Sequence, residues 1–240
     1  MFAAISPTLG TQPFNDWFTP DTTQRQPLGM KVTAVDPYWG FGEFIYVKSN
    51  DAILKGSLVA VGTAPTYLGT LLPSTAGQGF PFGVAMNAIP SGSYGWLQIS
   101  GAAVIKTNAT VAADTAIAVA AAGIAGTLAA GKQLLNTRNV KAATATVTVT
   151  AQTTLNNGVL VCAPGYDGFF LGMALSGTGI PASTVVAALD PDGRRIYTGS
   201  AIGTTGDKNS TASGSITLTG TYTGFGQAII TYPFAQGQIL

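Results

Sequence analysis

The residue types that most often carry out chemistry are scarce in this chain of 240 residues. It contains no histidine, one cysteine (Cys162) and one glutamate (Glu43). Without imidazole as a base or ligand, a Ser-His-Asp triad, a Cys-His pair and a histidine-ligated zinc site are all excluded. A single cysteine cannot form an intrachain disulfide, and we expect Cys162 to be a small buried residue.

Two aspartates, Asp190 and Asp192, lie close together in an Asp-Pro-Asp-Gly sequence. This sequence stands between two apolar runs and is typical of a hairpin turn. A calcium loop needs an oxygen ligand where Arg194 stands and a glutamate where Ala201 stands, so an EF-hand is excluded. We therefore expect these carboxylates to shape a turn. The sequence predicts no catalytic residue, no cofactor, no metal ion and no enzyme activity.

The stretch from Phe82 to Ile105 is the element around which the rest of the chain is organised. A short apolar run ends at a cluster of turn formers, residues 87–92, and a second run restarts at Tyr94 with aromatic and β-branched residues. Alternation places Tyr94 and Trp96 on one face of the second strand. The sequence predicts two joined strands at the centre of a small β domain.

The composition limits what the protein binds. Hydrophobic residues make up 46% of the chain, which favours an ordered protein over a disordered one. Charged residues make up only 9%, so we expect part of the surface to be buried against other subunits. The net charge is +1 and the basic residues are scattered, which argues against a nucleic-acid partner. The Ala-rich run from Thr115 to Gly131 is too short and too weakly apolar for a membrane span. With no basic start typical of a signal peptide, we expect folding in a reducing cytoplasm.

We expect a mainly β protein with an N-terminal extended arm, a small β-barrel or sandwich domain and a second β-sandwich-like domain. The predicted divisions are an arm at 1–40, a barrel-like core at 41–140, a second β domain at 141–224, and a strand and tail at 225–240. Recurring prolines keep the arm extended. Its aromatic residues allow two alternatives, packing on a neighbouring subunit or packing back on its own domain.

Aromatic residues in the arm and in the central strand are the candidate interface anchors, because aromatic side chains dominate interface energetics. Ordinary core packing is the alternative role for each of them. The candidates are Phe14, Trp17, Phe18, Trp39, Tyr94 and Trp96.

Two glycine-rich segments resemble parts of known virion proteins. Lys55-Gly56-Ser57-Leu58-Val59, Phe82-Gly83-Val84-Ala85 and the strand from Tyr94 to Gly101 together resemble the barrel-like core of tailed-bacteriophage capsid decoration, or cement, proteins. Residues 172–199 resemble a small β module of phage virion proteins. The resemblance implies a non-enzymatic viral protein on the outer capsid surface, assembled in the host cytoplasm. It further implies a homotrimer whose partner is the major capsid protein, with neither nucleic acid nor membrane bound.

Two functions remain open at this point, with a third least favoured. The first is a structural virion protein that binds the outer surface of the capsid and stabilises the expanded shell. The second is a tail- or fibre-type protein that binds a receptor or glycan through residues 141–222. An enzyme using Asp190 and Asp192 is the third, because no other pair of acids is close in sequence.

Overall fold

The computed structural model describes residues 3–4, 19–36, 40–108, 111–141, 144–163, 165–166, 168–190 and 193–236. The chain forms two compact units. The first contains residues 2–143 together with 224–240, and the second contains residues 144–223. The described residues form strands, turns and loops, without a helix, so the predicted mainly β class is confirmed. None of these residues belongs to a helix that could cross a membrane.

Seventeen strands follow one another in the part of the chain that the structure describes. They are β1 (Ala3–Ala4), β2 (Lys31–Asp36), β3 (Gly40–Ser49), β4 (Leu58–Val61), β5 (Leu68–Leu71), β6 (Phe82–Ala85), β7 (Tyr94–Lys106), β8 (Ile117–Ala121), β9 (Ile124–Thr127), β10 (Leu134–Lys141), β11 (Thr144–Thr153), β12 (Val159–Ala163), β13 (Ala174–Ser176), β14 (Thr184–Leu189), β15 (Arg195–Gly199), β16 (Gly214–Thr223) and β17 (Phe225–Ala235).

The first unit is built on a nine-stranded sheet in the order β1-β2-β3-β5-β4-β6-β7-β17-β10. Because β3 also pairs with β7, the strands β3, β5, β4, β6 and β7 form a closed ring. Apolar side chains fill this ring, including Ile45, Val59, Leu97 and Ile99. The burial of these side chains away from water holds the small barrel together.

Strand β7 belongs both to the ring and to the sheet beyond it. Its first half pairs with β3 and β6, and its second half pairs with β17. Glu43 pairs with Ser100 and the next residue, Phe44, pairs with Gln98, so Ile99 is an extra residue that makes a β-bulge. The Gln98 amide nitrogen donates to the carbonyls of Ser100 and Ala102, at 3.1 and 2.9 Å. The predicted central role of residues 82–105 is therefore seen in the pairing of β6 and β7.

A second apolar core lies outside the ring in the same unit. It includes Leu58 and Phe82 from the ring strands, Ile105 of β7, Ile117 of β8 and Ile230 of β17. Strands β8 and β9 form a separate two-stranded sheet. They supply buried residues to this core, so the Ala-rich region between β7 and β10 is a β-hairpin over an apolar layer.

The predicted arm includes a strand that the sequence did not predict. Residues 31–36 form β2, which pairs with β3 from Lys31 opposite Ile45 to Asp36 opposite Gly40. Just before it, the Gly29 amide donates to the Tyr46 carbonyl at 2.8 Å. The described residues 19–36 thus pack on the first unit itself, and the boundary at residue 40 cuts through its sheet. The other arm residues, apart from 3–4 and residue 40, lie outside the described residues.

The second unit is a closed barrel in the order β11-β12-β15-β14-β13-β16. The sequence predicted a sandwich-like domain here, and the sheet instead closes on itself. The predicted hairpin of β14 and β15 is present, with Leu189 opposite Ile196. Residues 168–173 form turns and loop between β12 and β13. Gly168 and Gly172 take φ values of +85° and +84°, which bend the chain out of extended geometry.

Candidate functional site

The structure describes two of the six candidate anchors, Tyr94 and Trp96. Both lie in β7 and both are half-buried. The other four candidates, Phe14, Trp17, Phe18 and Trp39, lie outside the described residues.

Tyr94 and Trp96 lie against a third ring that the sequence analysis did not select. Tyr46 of β3 is fully buried and pairs with Trp96 across the strands. Its ring stacks on Tyr94 with centroids 6.1 Å apart and contacts Trp96 at 5.1 Å with a tilt of 57°. We call Tyr46, Tyr94 and Trp96 the aromatic cluster. The alternation of Phe44, Tyr46 and Lys48 along β3 was the signal that could have revealed it.

A short segment before β2 holds the aromatic cluster in place. The Tyr46 hydroxyl donates to Asp21 Oδ2 at 2.6 Å, and Arg25 Nε lies 3.1 Å from Asp21 Oδ1. Asp21 and Tyr94 also exchange two backbone hydrogen bonds, of 2.9 and 2.8 Å. Burial, followed by the hydrogen bond to Asp21, raises the pKa of Tyr46 above its ordinary value, so its hydroxyl remains a donor.

A cation extends the cluster at its edge. Lys48 follows Tyr46 on the same face of β3, and its Nζ lies 5.8 Å from the centre of the Tyr94 ring. At this distance the positive charge is attracted to the face of the ring. The cluster therefore presents two partly exposed aromatic rings beside one lysine.

The carboxylate examined as a possible catalytic group serves the hairpin turn. Asp190 is buried, its Oδ2 lies 3.4 Å from Arg195 Nη1, and its carbonyl accepts hydrogen bonds from the Tyr166 hydroxyl and the Gly193 amide. These contacts close the turn between β14 and β15. Asp192 lies outside the described residues. Among those that are described, no three His, Cys, Asp or Glu side chains gather as a metal site would require.

A cavity of about 320 Å³ opens in the first unit where β4 ends and β6 begins. We call it the barrel mouth. Its floor is apolar and includes Ile45, Phe82 and Ile99, and its rim includes Lys31, Tyr67 and Tyr232. Clefts with an apolar floor and a few polar rim groups are the usual form of small-ligand sites, and the mouths of β-barrels are a common place for them.

Polar groups of three strands meet at Tyr232, which lines the barrel mouth. The Tyr232 hydroxyl of β17 hydrogen-bonds to the Glu43 carboxylate of β3, and this bond raises the pKa of Tyr232 above its ordinary value. Lys31 of β2 places its Nζ 5.2 Å from the centre of the Tyr232 ring. The second carboxylate oxygen, Glu43 Oε2, is buried and makes no hydrogen bond to the described residues.

Both rim tyrosines have backbone conformations that bulky residues rarely adopt. Tyr67 has φ +39° and Tyr232 has φ +46°, in the left-handed region. The Tyr67 ring lies directly over Gly29, where a Cβ atom would come within 2.3 Å of it. No local sequence motif marks the mouth, because Lys31, Tyr67 and Tyr232 are far apart in the chain.

Comparison of the chain with protein-family models, with curated proteins and with solved structures finds no match.

Proposed function

We propose that this protein is a structural virion protein that binds the outer surface of a tailed-phage capsid as a trimer and stabilises the expanded shell. The single observation that carries the proposal is the aromatic cluster on the first unit. Tyr94 and Trp96 are partly exposed and rest on the buried, hydrogen-bonded Tyr46. The partner in this proposal is the major capsid protein, and no chemical step is involved.

The cluster suits a protein interface for an energetic reason. Tryptophan and tyrosine bring a large apolar area and a polar group to an interface, and they are the residues most often found at its energetic centre. Because Tyr46 already fixes the two rings, little side-chain freedom remains to be lost on binding. A low charge density, with 9% charged residues, supports a surface made for contact with other proteins.

Stabilisation of a shell by such a protein depends on many contacts acting together. Each subunit of a trimer makes modest contacts, but the linked subunits raise the effective concentration of one another at the surface. A trimer therefore detaches slowly even when each contact is weak. This behaviour requires no cofactor, nucleic acid or membrane.

The direct test is co-sedimentation of the purified protein with expanded phage shells that lack it. We expect saturable pelleting at one trimer per local threefold position. Trp96→Ala should weaken binding by at least about tenfold, which corresponds to about 1.4 kcal/mol. Tyr197→Ala, a half-buried aromatic in the second unit, is the matched control and should bind normally. Absence of pelleting by a folded protein would favour the receptor-binding or glycan-binding alternative.

A deletion tests the proposed role of the N-terminal arm. Removing residues 1–18 keeps β2 and the segment that holds Tyr46, whereas a longer deletion through residue 35 would remove a strand of the sheet. We expect the shortened protein to fold and to bind shells more weakly. Unchanged shell binding would reject a role for the arm in contacts with neighbouring subunits.

A further inference from the structure

We propose that the barrel mouth is a binding site for a neutral sugar unit of a glycan. The proposal concerns Glu43, Lys31, Tyr67 and Tyr232, which take no part in the capsid contacts proposed above. It stands independently of that function, because it rests on the cavity and on its polar groups alone.

The shape of the mouth favours a compact ligand with one apolar face. Its volume is about 320 Å³, its floor is formed by side chains such as Ile45 and Ile99, and two tyrosine rings stand at its rim. The carbon-bound hydrogens of a sugar ring make an apolar face that packs well on an aromatic ring. The tyrosines also keep their hydroxyls at the wet edge, where a sugar presents its own.

The polar groups of the mouth call for a ligand that both donates and accepts hydrogen bonds. The Tyr232 hydroxyl lines the mouth and gives its proton to Glu43, so its oxygen is left as an acceptor. A hydroxyl group of a ligand in the mouth would donate to this oxygen. Lys31 would donate a hydrogen bond to an oxygen of the sugar, because an ammonium group has donors only.

The charges of the mouth favour a neutral ligand over an ion. Lys31 carries a positive charge and Glu43 a negative one, and the Tyr232 ring lies beside both. A phosphate or other strong anion would be repelled by Glu43. A quaternary ammonium ion would be repelled by Lys31, whose Nζ lies over the Tyr232 ring. A neutral sugar is repelled by neither charge.

The backbone supports a binding role through an independent observation. Tyr67 and Tyr232 each take a left-handed φ, a conformation that is strained and rare for a residue with a bulky side chain. Between Ile230 and Phe234, β17 has three residues where β10 has one, so the strand bulges at Tyr232. Bulges of this kind redirect side chains next to functional sites. Here the bulge lies at the rim of the cavity.

The experiment is titration of the full-length protein, labelled with ¹⁵N, with glucose, galactose, mannose, N-acetylglucosamine and their short oligosaccharides at millimolar concentration. We expect at least one sugar to shift amide signals confined to the mouth, among them those of Lys31, Tyr67 and Tyr232. Tyr232→Ala should weaken the binding of that sugar by about tenfold or more. Glu43→Gln, which keeps the shape of the side chain and removes its charge, should weaken the binding several-fold.

Controls separate this site from the rest of the molecule. Tyr94→Ala removes an aromatic ring of the first unit outside the mouth and should leave sugar affinity unchanged. No shift with any of these sugars, or shifts that survive Tyr232→Ala unchanged, would overturn the proposal. The same would follow if a proline-rich peptide or tetramethylammonium shifted the mouth signals and the sugars did not. Binding to capsid shells by Tyr232→Ala reports separately on the proposed function and should be unaffected.

Discussion

Gly101 is the residue at which β7 leaves the ring, and its position allows no side chain. Its φ is +102°, and a Cβ atom built there would lie 2.3 Å from the carbonyl oxygen of Phe41. A backbone oxygen cannot rotate away as a side chain can. We therefore expect Gly101→Ala to lower the free energy of unfolding by about 3 kcal/mol or more, measured by urea denaturation.

Gly92 provides the control for this prediction. It has φ +80°, but a Cβ atom there would have no neighbour within 4 Å. Gly92→Ala adds only the strain of a left-handed backbone, so it should lower the free energy of unfolding by about 1 kcal/mol. Equal losses for the two variants would mean that the contact with Phe41 is relieved easily, and that the bend of β7 is softer than its geometry indicates.

The only cysteine gives a prediction about reactivity. Cys162 is buried in the second unit, and this burial raises the pKa of its thiol to about 11. Because the thiolate is the reactive form, the folded protein at about pH 8 should react with Ellman's reagent far more slowly than the protein in urea. The folded state favours the protonated thiol, so its contribution to stability is complete below the ordinary thiol pKa and is lost as pH rises through about 11. Rapid labelling of the folded protein at about pH 8 would contradict this.

At the scale of elements, the segment before β2 is joined to the aromatic cluster by a side-chain hydrogen bond as well as by backbone bonds. Tyr46→Phe removes the donor to Asp21 Oδ2 while leaving the ring in place. A hydrogen bond to a charged group contributes about 1.5–3 kcal/mol, so we expect a loss of stability in that range. Hydrogen exchange should become faster in residues 19–30, because this segment loses the side-chain bond that joins Asp21 to β3.

Tyr94→Phe is the matched variant for Tyr46→Phe. It removes a hydroxyl from the neighbouring ring and keeps both the Asp21 contact and the backbone bonds between Asp21 and Tyr94. Exchange in residues 19–30 should then remain close to that of the unchanged protein. If both variants speed exchange equally, the effect is not specific to the Tyr46 hydroxyl, and its bond to Asp21 does not hold the segment.

The strands that the sequence predicted best are those with local patterns. The two runs on either side of residues 87–92 and the hairpin at Asp-Pro-Asp-Gly were predicted from such patterns, and the structure contains the strands β6, β7, β14 and β15 there. Strand β2 was missed because its neighbouring prolines suggested an arm, and its pairing with β3 is a tertiary effect. The barrel mouth was unpredictable for the same reason, since Glu43 and Tyr232 meet only after β17 returns to the first unit.

At the scale of the whole molecule, the second unit is an insertion between two paired strands of the first. Strands β10 and β17 pair with each other antiparallel, with Lys141 opposite Gln227. The inserted residues begin and end as neighbours, because Thr144 pairs with Thr223 across β11 and β16. Each unit thus has its own hydrogen-bonded sheet, and the chain passes between them at two adjacent points.

This arrangement predicts that the two units fold separately. Residues 144–223 expressed alone should form a stable barrel, because their ends are paired and the barrel has no unpaired edge among its described strands. Joining residue 143 to residue 224 through a short Gly-Ser linker should leave the first unit folded, since β10 and β17 then form an ordinary antiparallel pair.

Circular dichroism and thermal unfolding of both proteins would check the prediction, with the full chain as reference. Cooperative unfolding of each piece is the expected result. If the shortened first unit also pellets with expanded shells, the shell contacts lie in the unit that holds the aromatic cluster, as proposed. A folded first unit that no longer pellets would transfer the shell contacts to residues 144–223. An unfolded 144–223 piece would show that this barrel depends on the rest of the chain for its stability.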